Sequence, residues 1–288
     1  MTAEFNHFTL PKVTMRTQLR AIYITAKAGW RRYWRYPLNA ASSIFQPLIW
    51  LTPIFFMGQA FSNNGKLEGF AAFSGTGDYM SFILLGSALS SFVSTVFWGM
   101  GYSLKNEMDA GVLESNWLAP VPRPFMLIGR TLHSLFITAI TTTATLVVAG
   151  LVFGFQIVSA NLLPALATAL PMLIGLYGFG FAFAAVVLLM KDANTLVDVG
   201  SFLVELFSGA QFPVNVLPKW LLPISLAIPL TYGFDAFRSF LLGTFTLMPL
   251  KYEIMLLLVF MVVMVFLGLF VLDKLERHVR TTGTLGSH

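Results

Sequence analysis

The 288-residue sequence predicts an all-α polytopic membrane protein with six transmembrane helices, an N-terminal amphipathic interfacial helix and a re-entrant helical hairpin between spans five and six. Three observations carry that prediction. Hydrophobic residues make up 56% of the chain and charged residues 11%, with a mean hydropathy of +0.75, where soluble domains carry roughly 25% charge. The charges are gathered into clusters, leaving uncharged windows that accommodate the ~20 apolar residues a membrane crossing needs. Lysine and arginine are also unevenly shared among the segments that connect those windows.

Residues 1–37 read as a tail and a basic amphipathic helix. Met15, Leu19, Ile22, Tyr23, Ala26, Trp30, Tyr33 and Trp34 recur at steps of three and four and so share one helical face. Arg16, Arg20, Lys27, Arg31 and Arg35 fall on the adjoining face, the pattern of a helix resting in an anionic headgroup layer, and Pro37 ends it. With seven bases in its first 35 residues, the N-terminus does not fit a cleavable signal peptide.

Residues 38–272 read as the transmembrane domain. Span one is Leu38 to Phe61, where Pro47 and Pro53 predict a kink. Span two, Tyr79 to Gly99, lies in the uncharged window between Asp78 and Lys105. The next window, from Arg130 to Lys191, is too long for one crossing; it holds spans three and four, divided at Gly154 to Pro164. Span five, Thr195 to Phe212, carries Asp198 near one end and Glu205 well inside, and span six is Ile254 to Leu272. Residues 208–250 are apolar but interrupted by Pro213, Pro218, Pro223, Pro229 and Pro249, so each piece is shorter than a crossing and fits a hairpin dipping into one leaflet. Residues 273–288 are a tail ending in small polar residues.

With the N-terminus inside, the inner segments hold 14 of the 18 lysines and arginines and the outer ones four. Basic residues concentrate on the cytosolic side, so both termini and the loop at 103–124 are expected there, in a plasma membrane.

The chain has no cysteine, no glycine-rich phosphate loop, no dinucleotide fingerprint and no HExxH, and its four histidines are scattered at positions 7, 133, 278 and 288. Neither a catalytic nor a metal site is expected. Glu205 is the one ionisable residue deep in an apolar span; such groups face a cavity, a partner or a substrate path, or are protonated or paired. Asp235 and Arg238, three apart, are expected to pair on neighbouring helical turns.

The loop after span two reads KNEMDAGVLESNWLAPVPRP. From Lys105 it is a short helix candidate with Met108, Val112, Leu113 and Leu118 on its apolar side, stopped by three prolines. An amphipathic helix on a cytosolic loop suits docking into a partner's groove or lying on the membrane surface.

Glu107, Gly111, Leu113, Glu114, Leu118, Pro120 and Arg123 in this loop resemble the cytosolic loop of type-2 ABC (ABC-2) exporter permeases, which commonly reads E-x-x-x-G-x-L-E-x-L-x-x-x-P-x-x-R; Asn116 and Trp117 occupy the neighbourhood of its second leucine. A second stretch, Phe207 to Arg238, resembles the same family's segment after span five, with Ser208, Gly209, Pro213, Pro218, Trp220, Pro229, Asp235 and Arg238 matching and Ile228 standing where Asn is usual. The resemblance implies a prokaryotic permease that works as a homodimer or with a related permease, each copy served by a separate ATPase subunit that binds ATP and Mg, so that two ATPase copies and no cofactor in this chain are expected. It implies that loop 103–124 is the coupling element, that segment 208–250 caps the outer end of the pathway, and that spans one, two and five line it, with Glu205 as a polar contact. No nucleic-acid partner is expected. The alternative is a self-contained secondary transporter or channel, which should show several intramembrane charges or an inverted repeat; neither is evident.

Overall fold

The computed structural model describes residues 14–62, 67–111, 123–154, 161–189 and 193–282. Among these, every regular element is helical. In chain order they are α1 (Met15–Trp34), α2 (Pro37–Phe61), α3 (Glu68–Ser74), α4 (Tyr79–Ser94, running on as a π-helical turn over Thr95–Met100), α5 (Ser103–Asp109) and α6 (Arg123–Phe153). Then follow α7 (Leu162–Leu189), α8 (Ala193–Phe207), α9 (Leu222–Ala227), α10 (Pro229–Leu242) and α11 (Leu250–Thr282).

Five helices among the described residues are long and apolar enough to cross a membrane: Pro37–Phe61, Tyr79–Glu107, Phe125–Phe153, Leu162–Val187 and Leu250–Leu275. They fall on spans one, two, three, four and six of the sequence reading. Pro37 takes the first position of α2, where its missing N–H is harmless, and the helix continues through Pro47 and Pro53. The side chain of Asp78 caps α4 by accepting the Ser81 backbone N–H at 3.0 Å. The expected fifth span, Thr195 to Phe212, coincides with α8, which is described over Ala193–Phe207 and ends five residues before the expected boundary.

Burial separates the helices into two classes. About two thirds or more of the apolar windows of α4 (67%) and α7 (72%) is buried, against 17% for α2, α6 and α11. Hence α4 and α7 are central. The core joins Leu85, Leu89, Phe92 and Phe97 of α4 to Met172 and Leu176 of α7, Phe234 and Phe237 of α10, and Leu257 and Phe260 of α11. Because lipid is as apolar as these side chains, close packing rather than solvent exclusion favours such contacts. The α7–α11 contact shows how: a Cβ on Gly268 would collide with the backbone oxygen of Gly178, so only glycine lets these helices approach so closely. Segment 208–250 contains the short α9 and the longer α10, and α10 is inserted against α4, α7 and α11.

Candidate functional site

Three groups of residues bring together parts of the molecule that are far apart in sequence. The first lies where the turn after α8 meets α10. Arg238 of α10 is 2% exposed, and its guanidinium donates from Nε to the Phe82 carbonyl at 3.0 Å, from Nη1 to the Gly209 carbonyl at 2.6 Å and from Nη2 to the Ala210 carbonyl. Its Cζ stands 3.7 Å over the Phe82 ring. The planar fork thereby ties α10 to α4 and to the Ser208–Gly209 turn. Gly209 has φ +74°, and Gly86 of α4 lies so close to Ala210 and Arg238 that any Cβ there would overlap both.

The expected Asp235–Arg238 ion pair is not formed. Asp235 instead accepts the Leu247 backbone N–H at 2.6 Å and shares a side-chain hydrogen bond with Glu253, while Arg238 is satisfied by main-chain carbonyls. Spacing of three places two residues on neighbouring turns, but the backbone carbonyls around Arg238 are nearer and need a donor. Glu253, in the first turn of α11, is 0% exposed and accepts the Met248 N–H at 3.2 Å beside Asp235. Sequence reasoning used Glu253 only as the border of span six; the available signal was an acid one turn into a helix, where it meets unpaired N–H groups. Ser208 is buried, as are the turn residues Gly209 and Pro213, whereas Pro218 and Trp220 stand at the exposed rim, Trp220 74% exposed. Pro229 starts α10.

The second group surrounds Glu205, which is half-buried on α8 and accepts a hydrogen bond from Ser94 Oγ at 3.4 Å. Ser94 is the last residue of α4 before the π-helical turn, a distortion often found at functional sites. Next to it Thr95 bonds the Thr138 hydroxyl of α6 at 2.8 Å. A polar seam thus links α8, α4 and α6 inside an apolar bundle. Asp198 lies nearer the start of α8.

The third group is the loop after α4. The helix that begins at Ser103 closes at Asp109, braced by a Lys105–Asp109 pair at 3.2 Å, and turns at Ala110–Gly111 with Gly111 at φ +66°. The left-handed turn at glycine closes this first stretch of the loop, and the rest of the helix expected from Lys105 onward lies outside the described residues. Glu107 pairs with Arg130 of α6. Leu113, Glu114, Leu118 and Pro120 lie outside the described residues, and Arg123 opens α6. Sequence reasoning did not single out Arg130 as a partner. Arg16, Arg20, Lys27, Arg31 and Arg35 are exposed along or just after α1, whose Met15, Leu19 and Tyr23 are also exposed, while its other side packs on α6. Among the described residues no three His, Cys, Asp or Glu side chains converge as a metal site.

Five helices long and apolar enough to cross a bilayer among the described residues define a multi-pass membrane protein, its interior joined by a buried arginine clamp and a polar seam. The chain belongs to the ABC-2 type transporter family, whose pattern matches residues 20–242. It is also 32% identical, over 186 residues, to the probable doxorubicin resistance ABC transporter permease protein DrrC of two strains of Mycobacterium tuberculosis. That alignment covers 62% of this chain and 62% of each relative.

Proposed function

We propose that the chain is the membrane-spanning subunit of an ATP-driven exporter, forming the substrate path as a dimer and receiving force through loop 103–124 from a separate ATPase subunit, which alone binds ATP and Mg. The Glu107–Arg130 pair is the observation that carries this reading. It fastens the start of the loop to α6, so a push on the loop reaches the helices before and after it together. The basic bias of the loop and both termini supports placing them on the cytosolic side, and the ABC-2 family and the ABC transporter permeases it resembles support an ABC partner. Amphiphilic drugs of the doxorubicin kind are the first substrates to try, with Glu205 as the polar contact in the path. Spans one, two and five would wall that path, with segment 208–250 capping its outer end.

The decisive experiment is to coexpress the chain with its ATPase and replace Gly111 by Val or Glu114 by Ala. Val at a positive-φ position strains the turn. Both variants are expected to reduce ATPase copurification or to abolish stimulation of ATP hydrolysis by substrate. Unchanged copurification and stimulation in both would refute the assignment of this loop.

A further inference from the structure

A cavity of about 820 Å³ opens where α1, α5 and the first turns of α6 converge, large enough for a lipid headgroup and its glycerol. One wall is apolar, made by Ile24, Ala28 and Gly29 of α1. Arg32, Arg130 and His133 also line the cavity. There α1 and α6 touch at Gly29, where a Cβ would run into the His133 ring.

The charges that line it do not cancel. Glu107 is answered by Arg130, and the Tyr33 hydroxyl is hydrogen-bonded to Ser43 at 2.7 Å. Arg32 has no anionic partner among the described residues, and Nδ1 of His133 is buried with no hydrogen-bond partner. One cation without an anion therefore borders this space, and the His133 ring lines it beside Arg32 and Arg130. Aromatic side chains on α1 and on the stretch leading into α5 mark the depth: Trp30 packs edge-on against Trp34, Trp98 stacks on Tyr102 with rings 5.8 Å apart, and the three tryptophans are 39%, 49% and 46% exposed. Half-exposed tryptophan and tyrosine of this kind gather at the membrane–water boundary.

We propose that this cavity binds the phosphate of an anionic phospholipid headgroup, Arg32 and His133 holding the phosphate while the glycerol and first acyl carbons lie along Ile24, Ala28 and Gly29. Guanidinium and imidazole donors suit a phosphate, and the apolar wall suits a lipid rather than a free phosphate. The inner leaflet as the source rests on the orientation in the proposed function. A reversed orientation would leave the binding intact and only exchange the leaflet.

The test is native mass spectrometry of the full permease, purified without its ATPase, in mixed micelles of phosphatidylglycerol and phosphatidylcholine, so that a missing ATPase partner cannot imitate a negative result. Wild type is expected to retain phosphatidylglycerol in preference. Arg32→Gln, at an exposed position with no anionic partner among the described residues, is expected to lose about fivefold in retention, the equivalent of ~1 kcal/mol for one arginine at an anionic surface. Ala28→Trp, which fills the cavity from an exposed position, is expected to abolish the preference while thermal unfolding stays cooperative. Arg20→Gln, which removes the same charge from the same helix away from the cavity, is expected to change retention by less than about twofold. Free glycerol 3-phosphate is expected not to displace the lipid. Equal losses in R20Q and R32Q would overturn the proposal in favour of general surface charge, and full displacement by glycerol 3-phosphate would overturn it in favour of a soluble ligand. Unchanged lipid retention in folded A28W, with loss of ATPase copurification from the coexpressed complex, would make the cavity a protein-docking face and overturn it too.

Discussion

Arg238 carries more of the structure than its position in the sequence suggests. A buried guanidinium with three carbonyl acceptors leaves three unsatisfied oxygens when it is removed, and each orphaned buried acceptor costs ~1–3 kcal/mol. Arg238→Ala is therefore expected to destabilise the detergent-solubilised protein by at least ~3 kcal/mol, measured by equilibrium unfolding. Lysine offers a single ammonium where three acceptors sit around a planar fork, so Arg238→Lys is expected to recover only a minor part. Gly86→Ala pushes a methyl into the same clamp, and because both changes break one contact, the double variant is expected to cost less than the sum of the singles. Strict additivity would show that Gly86 and Arg238 act independently. The sequence exposed the charge, its motif and its apolar neighbourhood, but assigned Arg238 the wrong partner. Side chains advertise themselves by type, whereas the carbonyls of Phe82, Gly209 and Ala210 are main chain and carry no residue signature. Glu205 was legible for the opposite reason: a lone carboxyl in an apolar span stands out, although its Ser94 partner on another helix does not.

At the scale of elements, uncharged windows located most of the helices. Span one was read from Leu38 to Phe61 and α2 runs Pro37–Phe61; the break read at Gly154 to Pro164 lies between Phe153 and Leu162. Length and polarity decide those boundaries, and both are visible in a sequence. The ends of α8 at Phe207 and of α5 at Asp109 were not, since they depend on turn geometry at Gly209 and Gly111. Neither was the crowding of α7 on α11, although glycine abundance in an apolar helix hints at close approach. Gly268→Val inserts a branched side chain against the Gly178 backbone, which can yield only if the helices separate. A loss of ~1–3 kcal/mol is expected in detergent unfolding. The paired control Leu267→Val, on an exposed position of the same helix, is expected to change little, and equal losses in the two would assign the effect to helix propensity rather than to packing.

For the whole molecule, the question is how an event at one end of the bundle reaches the rest. The exposed apolar faces of α2, α6 and α11, with Trp50 74%, Phe136 63% and Phe266 71% exposed, are available to lipid or to a second copy, while α4 and α7 hold the interior. Transmission in the proposed exporter then depends on whatever fastens the loop to the spans. Glu107, 12% exposed, and Arg130, 34% exposed, form that fastening across the loop. The pair is partly shielded, so losing one partner should cost ~2–3 kcal/mol, less than the 3–5 of a fully buried pair. Glu107→Arg and Arg130→Glu are each expected to reduce substrate-stimulated ATP hydrolysis in the reconstituted complex to the unstimulated level while the ATPase still copurifies. Exchanging both charges restores attraction between the same two positions, and the double variant is expected to recover part of the stimulation. A double variant no better than either single would mean that the two residues act separately, and force would then have to enter the bundle elsewhere, α1 being the remaining helix packed on α6 at that end.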